Sequence, residues 1–245
     1  MADVDPFPVS GAWRPGDPPG CRQFVTVATG QPLALRAGGR LGPITVAYET
    51  WGTLASDRSN AVLVLHALTG DSHGAGGIEP GHPEVGWWDA LIGPGRAIDT
   101  DQFFVVCPNV LGGCQGTTGP SSPDPDTGRP YGSSFPTITI RDQIAVEAML
   151  SDALGIERWC SVVGGSMGGQ RALEWAVTYP DRVPHAVIIA CGAAATAEQI
   201  GLCALQIRAI EGDPNFASGD YYDREVGPWR GLAVVVVAAL SLIHI

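Results

Sequence analysis

The stretch Val162-Val163-Gly164-Gly165-Ser166-Met167-Gly168-Gly169 constrains this chain more than any other. An apolar run enters Gly-x-Ser-x-Gly and a helical pattern leaves it at once. That order predicts a tight strand-to-helix turn with the Ser166 hydroxyl exposed at its apex. Gly164 and Gly168 are required there because side chains would collide with the neighbouring strand and helix. The new helix aims its free N–H groups and the positive end of its dipole at any charge forming beside Ser166. The chemical reading is a nucleophilic serine; the bland one is a glycine-lined turn holding a structural serine.

The remaining pattern is that of an α/β sheet, apolar β-rich runs alternating with helical spacing. Strands are predicted at Phe24 to Ala28, Ile44 to Thr50, Ala61 to Leu65, Phe103 to Cys107, Trp159 to Val163 and His185 to Cys191. The continuous apolar runs fit strands covered on both faces, hence a mostly parallel central sheet. Helices are predicted at Thr139 to Leu154, with Gly155 as C-cap, and at Met167 to Tyr179, closed by Pro180. The stretch from Leu111 to Pro136, rich in Gly, Pro, Ser and Thr, is too long for an idle connection and reads as a binding or gating loop. After Gly192 the pattern turns alanine-rich and helical. The chain therefore divides into a sheet core over 1–195, a helical segment over 196–233 and an apolar tail over 234–245. The tail is shorter than the roughly 20 residues of a membrane-spanning helix, and it reads as foreign to the rest of the chain.

An acyl-transfer serine needs two hydrogen-bond donors for the developing oxyanion. The Met167 N–H supplies one, and the turn after the Ala61 to Leu65 strand supplies the other, at Leu68. It also needs a histidine base and a carboxylate, which in this order of elements follow the serine. Only His185 and His244 follow Ser166. His185 opens its strand whereas Ser166 closes the neighbouring one, and a strand spans roughly 17–20 Å, so His185 is out of reach. His244 lies in the apolar tail with no strand to position it. His66, His73 and His82 can line a site, but they precede the serine. The histidine base is thus expected to be absent from this chain.

Composition narrows the partners. A net charge of −11 opposes binding to nucleic acid or to an anionic membrane. All 14 cationic residues are arginine, so no Schiff-base, pyridoxal or P-loop lysine exists. Six cysteines without CxxC spacing read as reduced thiols, not as a disulfide framework or a zinc site, and no metal is expected. The proline-rich start has neither a basic nor an apolar leader region, which points to the cytoplasm.

Several segments carry a family resemblance. Ala47 to Gly52 (AYETWG), His66 to His73 (HALTGDSH), Gly86 to Asp89 (GWWD), Asn109 to Cys114 (NVLGGC), Thr139 to Asp142 (TIRD) and Gly164 to Gly169 (GGSMGG) resemble homoserine O-acetyltransferases, and the likeness runs in order from Val46 to Asp223. The resemblance implies an α/β-hydrolase fold with the start of a helical lid and a missing C-terminal part. It implies Ser166 as acyl-enzyme nucleophile, Leu68 and Met167 as oxyanion hole, and acetyl-CoA and L-homoserine as substrates. No cofactor is needed, and a homodimer is expected for full-length relatives. After Ala233 the chain departs from the family, reading Val234 to Val237 where relatives carry an arginine pair. A succinyl donor or a serine acceptor remains open, as do an esterase or thioesterase of the same fold and a non-catalytic relative acting as a binding module.

Overall fold

The computed structural model describes residues 9–235. They form two compact units. One holds residues 13–119 and 136–193; the other holds 9–12, 120–135 and 194–235.

The first unit is built on a six-stranded sheet: β1 (Gln23–Val27), β2 (Ile44–Trp51), β3 (Ala61–Leu65), β4 (Phe104–Pro108), β5 (Ser161–Gly165) and β6 (Ala186–Ile189). Its spatial order is β1-β2-β4-β3-β5-β6. The β4-β3, β3-β5 and β5-β6 pairs are parallel, whereas β2 runs antiparallel to β1 and β4. The central strand β3 is buried along its whole length, as its unbroken apolar run requires. Helix α1 (Ile140–Ala153) links β4 to β5, and α2 (Met167–Thr178) links β5 to β6. Thr139 and Asp142 form a reciprocal capping box that fixes where α1 begins.

Ala61–Leu65 forms as expected, the edges of β1, β2 and β4 differ by at most one residue, β5 is displaced by two, and β6 ends two residues early. Pairing with β3 begins at Ser161, while Trp159 sends its side chain, fully buried, into the core, and its backbone N–H donates to the Arg182 carbonyl. β6 forms where expected, but at the sheet edge with all four residues exposed, unlike the other apolar runs. In the second unit α3 (Ala197–Glu211) starts four residues after Ala193, because Thr196 and Gln199 make a second capping box. Residues 120–135 also belong to this unit, although by sequence they fell within the sheet core. Ser133 donates twice to Asp220, and Arg129 pairs with Asp223 at 2.9 Å. Residues 229–235 are helical; the rest of the apolar tail, with His244, lies outside the described residues.

A buried polar cross-link holds α1, α2 and the end of β3 together. Arg171 on α2 is wholly buried and donates to Glu147 of α1 at 2.6 Å and to the His66 carbonyl at 2.6 Å. Trp175 donates to the other Glu147 oxygen at 2.7 Å. The His66 ring is equally committed. Nε2 accepts from the Val110 N–H at 3.0 Å, so the proton sits on Nδ1, which donates to the Ala67 carbonyl at 2.7 Å. Burial, and then the charge of Arg171, hold this imidazole down from 6.5 to about 3.

Two outcomes follow. Arg171→Met leaves the Glu147 carboxylate buried without its counter-charge and should cost about 3–5 kcal/mol in urea unfolding, whereas Arg171→Met/Glu147→Met should recover most of that loss. His66 resists protonation when folded but accepts a proton near 6.5 when unfolded, so its contribution is complete above that pH and is lost as pH falls toward 3. His66→Gln should therefore flatten the acid limb of the stability curve by about 1.4 kcal/mol per pH unit across that window.

Candidate functional site

The turn between β5 and α2 has the predicted form. Ser166 adopts φ 54° and ψ −121°, a conformation that non-glycine residues rarely hold and that costs about 1–3 kcal/mol. It is kept there from both sides: its N–H donates to the Ile189 carbonyl at 2.9 Å, and its carbonyl accepts from the Gln170 N–H at 3.0 Å. The side chain makes no capping hydrogen bond and the residue is exposed, so its hydroxyl is presented outward. Both glycines are sterically enforced. A Cβ on Gly164 would overlap the Gly168 carbonyl, and one on Gly168 would overlap the Leu65 carbonyl. These overlaps reflect how closely α2, β5 and the end of β3 approach one another.

That approach brings the turn after β3 beside the start of α2. Leu68 and Met167 line one hollow of about 260 Å³, with His66, Asn109 and Gln143 also in its wall. Leu68 is 73% exposed, so its side chain is not what fixes its place. Its turn is anchored by the two bonds that His66 makes, from its carbonyl and its Nδ1, and by the Gly70 N–H donating to the Ala67 carbonyl. Among the described residues, neither the Leu68 nor the Met167 N–H is taken up by an acceptor. The Asn109 Nδ2 and Gln143 Oε1 atoms, both shielded from solvent, also lack partners among the described residues. Asn109 escaped the sequence reading as a site residue because an amide after a strand is usually a turn former.

The histidines divide as their positions dictate. His185 precedes Ala186, which pairs with Val162, so it lies about five residues, or roughly 16 Å, back along the sheet from Ser166. It lines a larger hollow of about 820 Å³ at the opposite end of the parallel strands, beside Arg58 and Trp159. Ligands of such sheets bind beyond the carboxyl ends of the strands, where Ser166 stands, so size does not make that hollow the site. His66 faces the Leu68 hollow but is locked neutral by its two bonds. His73 and His82 are drawn away to Glu49. Among the described residues no histidine is placed to act as a base for Ser166.

Glu49, His73 and His82 are the one trio of potential metal-ligating side chains among the described residues, and all three are buried. Burial raises the Glu49 carboxyl above its usual range, against the hydrogen bonds from His73 and Ser72. Burial, then the charges of Arg22 and His73, push His82 down to about 4. The six cysteines are unpaired, with Cys107 buried and Cys21, Cys114 and Cys203 exposed. No helix among the described residues is long and apolar enough to cross a membrane.

Comparison with known proteins agrees with this geometry. Residues 60–228 match the family model described as the alpha/beta hydrolase fold. A homoserine O-acetyltransferase of Thermobifida fusca is 58% identical over 230 residues, which cover 94% of this chain and 60% of that protein. A homoserine O-succinyltransferase of Alkalilimnicola ehrlichii is 48% identical over 90% of this chain and 57% of its own length. Among solved structures, esterase E22 has a TM-score of 0.79 at 34% identity, covering 89% of this chain and 60% of that one. The homoserine O-acetyltransferase of Bacillus anthracis has a TM-score of 0.78 at 34% identity, covering 90% of this chain and 59% of that one. The chain spans about 60% of the length of the curated acetyltransferase it matches. With its strand order, its strained serine and a family match across most of its length, the chain belongs to the alpha/beta hydrolase fold family.

Proposed function

We propose that this chain is the nucleophile-bearing portion of a homoserine O-acyltransferase that moves an acetyl group from acetyl-CoA to the hydroxyl of L-homoserine. The observation that carries the reading is the exposed Ser166 at a strained turn, with the free Leu68 and Met167 N–H groups gathered at one hollow beside it. The 58% identity to a homoserine O-acetyltransferase supports this choice of substrates.

In this mechanism Ser166 Oγ attacks the thioester carbonyl, and the Leu68 and Met167 N–H groups stabilise the tetrahedral oxyanion. The C–S bond breaks, CoA leaves as its thiol, and the acetyl group remains on Ser166 as an ester. The homoserine hydroxyl then attacks that ester and restores the free serine. Both steps move a proton and need a general base. The described residues bring no histidine to Ser166, so by itself this chain should run the cycle about 10⁴-fold or more below a complete relative. In full-length relatives the reading extends to a homodimer.

A second reading is hydrolysis, favoured by the equal likeness to esterase E22. The acyl-serine forms identically and water takes the place of homoserine.

Prolonged incubation with a serine-directed fluorophosphonate should label the chain once, slowly because no base reaches Ser166 among the described residues, and leave Ser166→Ala unlabelled; equal labelling of Ser166→Ala refutes the nucleophile. With acetyl-CoA, slow CoA release that depends on homoserine supports transfer, release indifferent to it supports hydrolysis, and release from succinyl-CoA alone reassigns the donor. Leu68→Pro deletes a backbone donor and should slow acylation about 10²–10³-fold, whereas Leu68→Ala, which trims an exposed side chain, should leave it nearly unchanged. Equal rates for the two would remove Leu68 from the oxyanion hole.

A further inference from the structure

Glu49 stands on β2 opposite Cys107 of β4, wholly buried, and burial raises its carboxyl above the usual range. A carboxylate in such a place is costly unless donors compensate it. Both of its donors come from two consecutive residues. The Ser72 hydroxyl donates to Oε1 at 2.8 Å, and His73 Nδ1, facing an oxygen that only accepts, donates to Oε2 at 2.9 Å. His82 stacks on the His73 ring with centroids 3.8 Å apart and planes 11° from parallel, which fixes the plane of that ring.

We propose that Glu49 is a positioning residue for acyl transfer: by holding Ser72 and His73 it sets where the Leu68 N–H stands beside Ser166. This role rests on the reading of Ser166 as nucleophile and Leu68 as oxyanion donor.

The backbone that carries Leu68 is short and pinned at both ends. Arg171 and the two bonds of the His66 ring hold its start, at His66 and Ala67. Glu49 holds its end, at Ser72 and His73. Four residues, Leu68 to Asp71, lie between, and the exposed Leu68 side chain gives them no grip on the core. The end is itself stiff. The His73 N–H donates to Asp71 Oδ1 at 2.8 Å, the Gly74 N–H donates to the Ser72 carbonyl at 2.8 Å, and the Trp87 indole donates to the Asp71 carbonyl at 3.0 Å. Trp87 lies outside the strands, and the Cys107 thiol reaches the Asp71 carbonyl only at 3.7 Å. Glu49 thus supplies the strong, charge-assisted tie between this block and the sheet. Packing alone would be served as well by an apolar side chain, without the cost of burying charge. What the carboxylate adds is a fixed direction for two donors.

The test follows phosphonylation of Ser166 by the fluorophosphonate over time, in the chain as it stands. The rate constant at saturating reagent reads the geometry of the site; the final labelled fraction reads the share of folded chain. Glu49→Leu should lower the rate constant about tenfold and reach the final fraction of the parent, since misplacing a positioned group by 1 Å can cost about 10²-fold and the His66 anchor remains. Glu49→Gln can accept from one partner and donate to the other, because the Ser72 hydroxyl also accepts and His73 can move its proton to Nε2. It should recover to within about threefold of the parent. Equal rate constants for Glu49→Leu and the parent overturn the proposal, as does a lowered final fraction at an unchanged rate constant, which is a folding defect. Slowing by Leu68→Pro without slowing by Glu49→Leu removes Glu49 and leaves the oxyanion hole standing; no slowing by either removes both. Should Glu49→Leu fail to fold, Ser72→Ala decides. A rate constant lowered about threefold supports the tie, and one equal to that of the parent refutes it.

Discussion

Everything in the sheet unit is arranged around one close approach, that of the α2 backbone to the ends of β3 and β5. Gly168 leaves no room for a side chain against the Leu65 carbonyl, and Gly164 leaves none against Gly168. The distance at which helix and strands pack therefore follows from backbone contact rather than from side-chain size. Ser166 inherits its positive φ from that geometry: the chain must reverse within one residue to pass from β5 into α2. The strain of about 1–3 kcal/mol is small beside the stability of the parallel sheet that holds it, and it is what turns the hydroxyl outward.

The Arg171 cross-link serves the same arrangement from behind. By donating to the carbonyl of His66, a helix residue holds the backbone that leads into Leu68, so the two candidate oxyanion donors rest on a shared support. Since His66 is kept neutral, that support does not change charge across the range in which most enzymes work. A buried ion pair of this kind adds little stability over an apolar packing; its value lies in register.

How much of this was legible depended on whether the signal was local. The turn at Ser166, the strand Ala61–Leu65 and both helices of the sheet unit could be read because their determinants sit within a few residues of one another. The misplacements have local causes as well. Trp159 belongs to an apolar run but is spent on the core, and Thr196 caps a helix that alanine content alone would start earlier. What stayed hidden was built across long separations. Glu49, His73 and His82 follow no ligand spacing, and nothing near residues 120–135 announces that Ser133 and Arg129 bond to Asp220 and Asp223. Arg171 belongs to a residue type rarely found fully buried, and only the fold reveals its partners.

The edge strand β6 carries a consequence of another kind. Val187, Ile188 and Ile189 stand 40–46% exposed on a strand that, among the described residues, is paired on one side only. A short, uncharged, β-branched ribbon with free backbone groups is a template for another copy of itself. The negative charge of the molecule opposes such pairing only at long range, and salt screens it within about 10 Å. In concentrated solution this chain would accordingly begin to self-associate along that ribbon.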